Sequence, residues 1–115
     1  MKALHTENFY RKYWGEFQSK SKMNLDRELK WRTDGMNDVL DAENLKRAMK
    51  VVAKLIADEA EAELRKTMKM VQDLEAGRSS LGYTHELQEV AEMARLRRMF
   101  EFDCLQLRDF REKWA

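Results

Sequence analysis

The chain has 115 residues, and its 22 Lys and Arg nearly balance its 21 Asp and Glu, so that the net charge is only +1. This balance argues against a protein whose whole surface attracts nucleic acid or imitates it. A single cysteine excludes an internal disulfide framework, and one cysteine with two distant histidines excludes an ordinary structural zinc site.

Charged residues make up 37% of the chain, against about 25% in an average domain, and there are four glycines and no proline. Such a composition is typical of long, solvated helices. No apolar run approaches the roughly 18 residues of a membrane span, and the start of the chain is polar and aromatic, unlike a signal peptide. We therefore expect one all-α domain over 1–115 in a reducing, cytoplasmic compartment, without a signal peptide or a membrane span.

The segment 1–35 is predicted to form one or two short helices that are basic and rich in aromatic residues. Thr6 can cap the first helix, and its apolar positions recur at helical spacing: Phe9, Tyr10, Tyr13, Trp14 and Phe17. Asn24 can cap a second helix from Leu25 to about Thr33. Gly35 tolerates the backbone angles of a turn, which ends this part of the chain.

The remainder, 37–113, is predicted to form a long antiparallel helical hairpin. No helix breaker occurs in 37–76, and apolar residues recur there every three or four positions, as they do again in 84–113. The segment 77–83, which begins with a glycine, is the predicted loop. The short N-terminal helices are expected to pack on the open end of this hairpin.

Pairing the two apolar stripes outward from the loop gives a specific register. Ile56 lies opposite Cys104 in it, and the acidic segment 58–63 lies near three basic residues of the second helix, Arg95, Arg97 and Arg98. A two-helix hairpin is too thin to bury all its apolar surface, because several apolar residues lie off the main stripe: Val51, Leu55, Met99, Phe102 and Leu105. The aromatic first helix could cover part of this second apolar face.

Surplus apolar surface makes a partner-binding interface the leading functional interpretation. In the first helix, Phe9, Tyr13 and Phe17 form one ridge and are expected in the core. The neighbouring ridge of Tyr10 and Trp14 is expected to face a partner. The full set of candidate partner-contact residues is Tyr10, Trp14, Trp31, Phe102, Leu81 and Tyr83.

Three lysines recur every four residues on the first long helix, beside an arginine, and form a basic stripe: Lys46, Arg47, Lys50 and Lys54. Such a stripe could follow the phosphates of a nucleic acid, each neutralised phosphate adding salt-dependent affinity. No glycine-rich loop or other nucleic-acid motif accompanies it. A solvated helix face is therefore the favoured interpretation, and nucleic-acid contact is the alternative.

No catalytic, cofactor-binding or metal-binding residue is predicted. Carboxylate metal sites in helical bundles need Glu-x-x-Glu or Glu-x-x-His pairs that converge from several helices, and the pair Glu86 and Glu89 lies far from the acidic segment 58–63. Cys104 lies on the buried stripe, and neither His5 nor His85 is placed to activate it. We therefore do not expect an enzyme.

These observations favour a non-enzymatic helical protein–protein interaction module, acting as a homo-oligomer or as a small subunit, adaptor or inhibitor of a larger assembly. The alternative is a small helical subunit that contacts nucleic acid through a basic helix face, in a nucleoprotein complex or in a phage packaging or effector complex. That alternative rests on fold-level analogy alone.

Overall fold

The computed structural model describes residues 4–81 and 87–115, and all regular structure within them is helical. The prediction of an all-α fold is thereby confirmed. The described residues form five α-helices and one short 3₁₀ turn: α1 (Leu4–Lys12), α2 (Trp14–Lys20), α3 (Leu25–Arg32), the turn Met36–Asp38, α4 (Ala42–Leu81) and α5 (Leu87–Lys113).

The N-terminal part forms three short helices, because the predicted first helix is interrupted at Tyr13. This residue leaves helical geometry, with φ −105° and ψ 22°, and it separates α1 from α2. α3 follows the prediction closely: the backbone N–H of Arg27 donates to the Asn24 side chain at 3.0 Å, and Thr33 ends the helix. Gly35 then adopts a φ of +82°, in the left-handed region that favours glycine.

α4 begins at Ala42, five residues later than predicted, because Asp41 caps it. The Asp41 carboxylate accepts a hydrogen bond from the backbone N–H of Asn44 at 2.8 Å, as in other acidic N-caps. At its other end α4 continues through Gly77 to Leu81, so the prediction that the loop begins at Gly77 is wrong. An interior glycine costs a helix only about 1 kcal/mol relative to alanine. The rest of the predicted loop lies outside the described residues or in the last turn of α4.

α4 and α5 pack against each other along an apolar seam to which α3 also contributes. The buried core contains five residues of α4 and two of α5, together with Leu25 and Leu29 of α3. The seven residues from the long helices are Ala53, Ile56, Ala57, Ala60, Leu64, Leu107 and Phe110. Small residues of α4 thus face large residues of α5, which permits close packing.

Ion pairs between α4 and α5 differ from those expected. Arg111 contacts Asp58 at 3.0 Å, and Arg97 contacts Glu75 at 2.7 Å, rather than the acidic segment 58–63. The predicted register placed Asp58 opposite residue 102 and Arg97 opposite residue 63, so the observed partners lie nine and twelve residues further along, which is between one and two heptads. Apolar residues recur along the whole of both helices, which is why the stripe alone did not reveal this shift.

α5 uses a second face to hold α1 and α2. Phe102 is fully buried there, with its ring stacked 5.5 Å from that of Phe17 and 4.8 Å from that of Trp14 between centroids. Tyr10 and Leu105 complete this second core cluster. α5 is therefore in contact with α4 on one face and with α1 and α2 on another, which explains why its apolar residues are not confined to one stripe.

Candidate interaction surfaces

Two of the predicted partner-contact residues, Tyr10 and Phe102, are buried within the chain itself. Tyr10 is only 4% exposed, and its hydroxyl donates to Glu101 at 2.7 Å. Burial, aided by this hydrogen bond to a carboxylate, raises the pKa of the Tyr10 hydroxyl. Of the three aromatic residues expected in the core, Phe17 packs against this cluster, whereas Phe9 and Tyr13 are exposed. The prediction assumed one straight helix, whereas the interruption between α1 and α2 turns Tyr10 onto α5.

The remaining predicted partner-contact residues fall into three situations. Trp14 is half-buried against Phe102, so its indole belongs mainly to the intramolecular core. Trp31 is 73% exposed on α3 and is free to meet a partner. Leu81 is the last residue of α4, where only the backbone is described, and Tyr83 lies outside the described residues.

A long groove runs along the α4–α5 seam beside α3, and we call it the seam groove. Its volume is about 730 Å³. Six apolar residues form its floor, three from each long helix: Ile56, Ala60, Leu64, Leu96, Met99 and Phe100. Met70, which is 49% exposed, stands at its edge. α3 forms one wall and covers only part of the seam, since an eight-residue helix is about 12 Å long.

The rim of the seam groove carries unequal charges. Arg32 contacts Glu59 at 2.6 Å and Glu28 at 2.8 Å, and hydrogen bonding from Arg32 holds the pKa of Glu59 below its usual range. Lys22 and Arg27 are exposed on the same rim, and neither has an acidic partner among the residues that the structure describes. The rim therefore presents positive charge that its own carboxylates do not neutralise.

Asp103 is the acidic residue that lines the deeper part of the seam groove. The Ser21 hydroxyl donates to its carboxylate at 2.6 Å and so ties the segment before α3 to α5. Burial raises the pKa of Asp103 to about 6, although the hydrogen bond from Ser21 opposes this shift. Asp103 therefore connects the segment before α3 to α5 through a carboxylate that loses its charge as the pH falls through its pKa of about 6.

A second, smaller depression lies between the start of α4 and the end of α5, and we call it the end groove. Its volume is about 480 Å³. Its walls include two residues of the basic stripe, one more cation and three apolar residues: Lys50, Lys54, Arg111, Ala57, Phe110 and Trp114. Arg111 was not among the predicted functional residues, although the predicted register, which pairs Ile56 with Cys104, already placed residue 111 opposite residue 49 and so beside the stripe.

The basic stripe itself divides into paired and unpaired cations. Arg47 contacts Glu43 at 3.0 Å, and Lys54 contacts Asp58 at 3.1 Å. Hydrogen bonds from Arg111 and from Lys54 hold the pKa of Asp58 below its usual range. Lys46 and Lys50 are exposed and have no acidic partner within 4–81 and 87–115. Half of the stripe is therefore available to an external anion.

The structure gives little support for a reactive thiol or for a metal site among the described residues. Burial raises the pKa of the Cys104 thiol to about 11, so the reactive thiolate is scarce at neutral pH. In the part of the chain that the structure describes, no three His, Cys, Asp or Glu side chains come together as a metal site would require. Nor do the described helices include one with the length and apolar character needed to cross a bilayer.

Comparison with known protein families, with curated proteins and with solved structures found no match to this chain. The features of the chain that bear on its function are the two grooves and the charged residues around them.

Proposed function

We propose that this chain is a non-enzymatic helical interaction module that binds an amphipathic helix of a partner protein in the seam groove. It would act as a small subunit, adaptor or inhibitor of a larger assembly. The observation that carries the proposal is the set of apolar side chains that stay partly exposed in the seam groove, Leu96, Met99 and Phe100. Amphipathic helices commonly bind in apolar grooves of this kind.

α3 supports a helix as the occupant, because it already shows how a helix binds to this seam. It inserts Leu25 and Leu29, one turn apart, and both are less than 5% exposed. A partner helix with apolar residues at the same spacing would find Leu96, Met99 and Met70, which are all partly exposed, in the next part of the seam. Methionines such as Met99 adapt readily to different partner side chains.

The charge on the rim specifies the partner further. Lys22 and Arg27 lie beside the apolar floor without acidic partners in the described part of the chain. A helix with Asp or Glu along the edges of its apolar face would place carboxylates near these two cations. Complementary charges of this type increase association rates and selectivity more than they increase affinity.

The test compares two exposed methionines of α4. Met70 is 49% exposed and lines the seam groove, whereas Met68 is 42% exposed and does not line it. We expect Met70→Glu in the full chain to weaken binding of a purified partner by about threefold or more, since full burial of a methionine side chain contributes about 1.5–3 kcal/mol and about half of that remains to be gained at Met70. Met68→Glu, the matched control, should bind as the wild type does.

Light scattering coupled to size exclusion identifies the occupant. A monomer that binds a separate protein, with loss of binding in Met70→Glu alone, supports the proposal. A dimer that Met70→Glu alone dissociates would show that a second copy occupies the groove. Equal binding by Met70→Glu and Met68→Glu, or a monomer for which no direct partner is reconstituted, would overturn the proposal.

The alternative function, contact with nucleic acid, is favoured by one specific observation. Lys46 and Lys50 are exposed on α4, and within the described ranges neither is neutralised by a carboxylate. Reversal of Lys46, Lys50 and Lys54 to Glu should then abolish nucleic-acid retention and reduce its salt dependence. Reversal of the exposed Lys30 on α3 is the control. Retention that is unchanged across a salt series would exclude this alternative.

A further inference from the structure

We infer that the end groove is a binding site for a small amphipathic anion, meaning a carboxylate or sulfonate attached to an apolar body. This inference does not depend on the seam groove or on its partner helix. It rests on the side chains that line the end groove, which combine an excess of hydrogen-bond donors with an apolar surface.

The donors of the end groove outnumber its acceptors. Lys50, Lys54 and Arg111 bring three positive charges to the groove. Lys54 and Arg111 both contact the carboxylate of Asp58, at 3.1 Å and 3.0 Å, and Arg111 also lies 3.8 Å from the carboxylate of Glu61. Lys50 has no carboxylate partner in the residues described. An anionic group would therefore complete the charge balance of this site.

Trp114 of α5 also lines the end groove. Its indole Nε1–H is buried and has no acceptor among the described residues, so that atom is closed to a ligand in the groove and the ring offers apolar contact instead. Recognition of the anionic group therefore depends on the cations, and above all on Lys50.

The apolar part of the site and its size define the rest of the ligand. The almost fully buried Ala53, Ala57 and Phe110 form the base of the groove, and its accessible apolar surface comes from Val51, which is 71% exposed, and from the half-buried Trp114. A volume of about 480 Å³ falls in the range of small-molecule sites, about 300–1,000 Å³. A helix, about 10 Å wide with its side chains, suits the longer seam groove better. The ligand class is therefore a short-chain or ring-bearing organic anion.

Octanoate and 1-octanol are suitable probes, because they share a chain length and differ in charge. The chain contains three tryptophans, Trp14, Trp31 and Trp114, so fluorine NMR of the full chain labelled with 5-fluorotryptophan gives three separate reporters. We expect octanoate to shift the Trp114 resonance saturably while the other two remain in place. Octanol should bind at least about threefold more weakly, as expected for the loss of one charged contact.

Two lysine variants make the test specific. Lys50→Gln removes the unpaired cation and should weaken octanoate binding at least about threefold. Lys30→Gln removes an exposed lysine of α3 that does not line the end groove and should leave binding unchanged. Met70→Glu should also leave it unchanged, which separates this site from the seam groove. A Trp114 resonance that does not move, equal binding of octanol, or equal effects of the two lysine variants would overturn the inference.

Discussion

Phe102→Ala is the substitution that most directly tests the observed packing of α1 and α2 on α5. The Phe102 side chain is fully buried, and its ring contacts those of Trp14, Phe17 and Tyr10, with centroids 4.8, 5.5 and 6.4 Å away. Truncation of a buried phenylalanine usually costs about 3–5 kcal/mol, and its three aromatic contacts, which strengthen packing beyond the buried area alone, place Phe102 in the upper part of that range. We therefore expect a loss of about 4–5 kcal/mol in the free energy of unfolding.

Urea unfolding followed by far-UV circular dichroism measures this loss. Each kcal/mol corresponds to roughly 4 °C of Tm in a chain of this size, so the Tm of Phe102→Ala should be about 15–20 °C below that of the wild type. Phe9→Ala is the matched control, because Phe9 is 45% exposed on α1, and it should cost about 1 kcal/mol. A loss in Phe102→Ala no larger than that in Phe9→Ala would refute the packing described for α5.

Three further predictions concern stability. Asp103→Asn should stabilise the chain above pH 6 by about 1–2 kcal/mol, after a discount for partial exposure. Burial raises the pKa of Asp103 to about 6 from 3.8, so the charged form is penalised above pH 6 and the advantage should vanish as the pH falls towards 3.8. Unfolding at pH 8 and pH 4 tests the sign, and an equal effect at both would contradict it. Asn24→Ala removes the cap of α3 and should cost about 1 kcal/mol by urea unfolding, whereas an unchanged midpoint would show that the cap is dispensable. Gly35→Ala should also cost about 1 kcal/mol, because Gly35 has a φ of +82° although a Cβ would meet no neighbour; a more stable variant would disprove that backbone argument.

Features set by neighbouring residues could be predicted from the sequence. The Asn24 cap, the end of α3 at Thr33 and the turn at Gly35 each depend on a few adjacent residues, and all three were predicted correctly. The start of α4 was missed although its signal was present, since Asp41 is an ordinary acidic cap. An acidic cap starts a helix without any helix-breaking proline or glycine, so the absence of breakers in 37–76 did not locate this start.

Features set by distant residues were harder to predict. An apolar stripe repeats every heptad, so a second helix fits it equally well after a shift of one or two heptads. The ion pair of Arg111 with Asp58 distinguishes the two registers. Long charged side chains can reach several alternative partners, however, so this ion pair could not be predicted from the sequence. The predicted register had already brought Arg111 near Lys50, two residues that line the end groove, but it gave no indication that Arg111 pairs with Asp58.

The attachment of α1 and α2 to α5 also has a consequence during synthesis of the chain. Tyr10 and its hydrogen-bond acceptor Glu101 are 91 residues apart, and translation at about 5–20 residues per second separates their appearance by roughly 5–18 s. For that interval the aromatic residues of α1 and α2 have no apolar surface of α5 to cover them. The nascent N-terminal segment is therefore exposed to chaperones and proteases until the last helix leaves the ribosome.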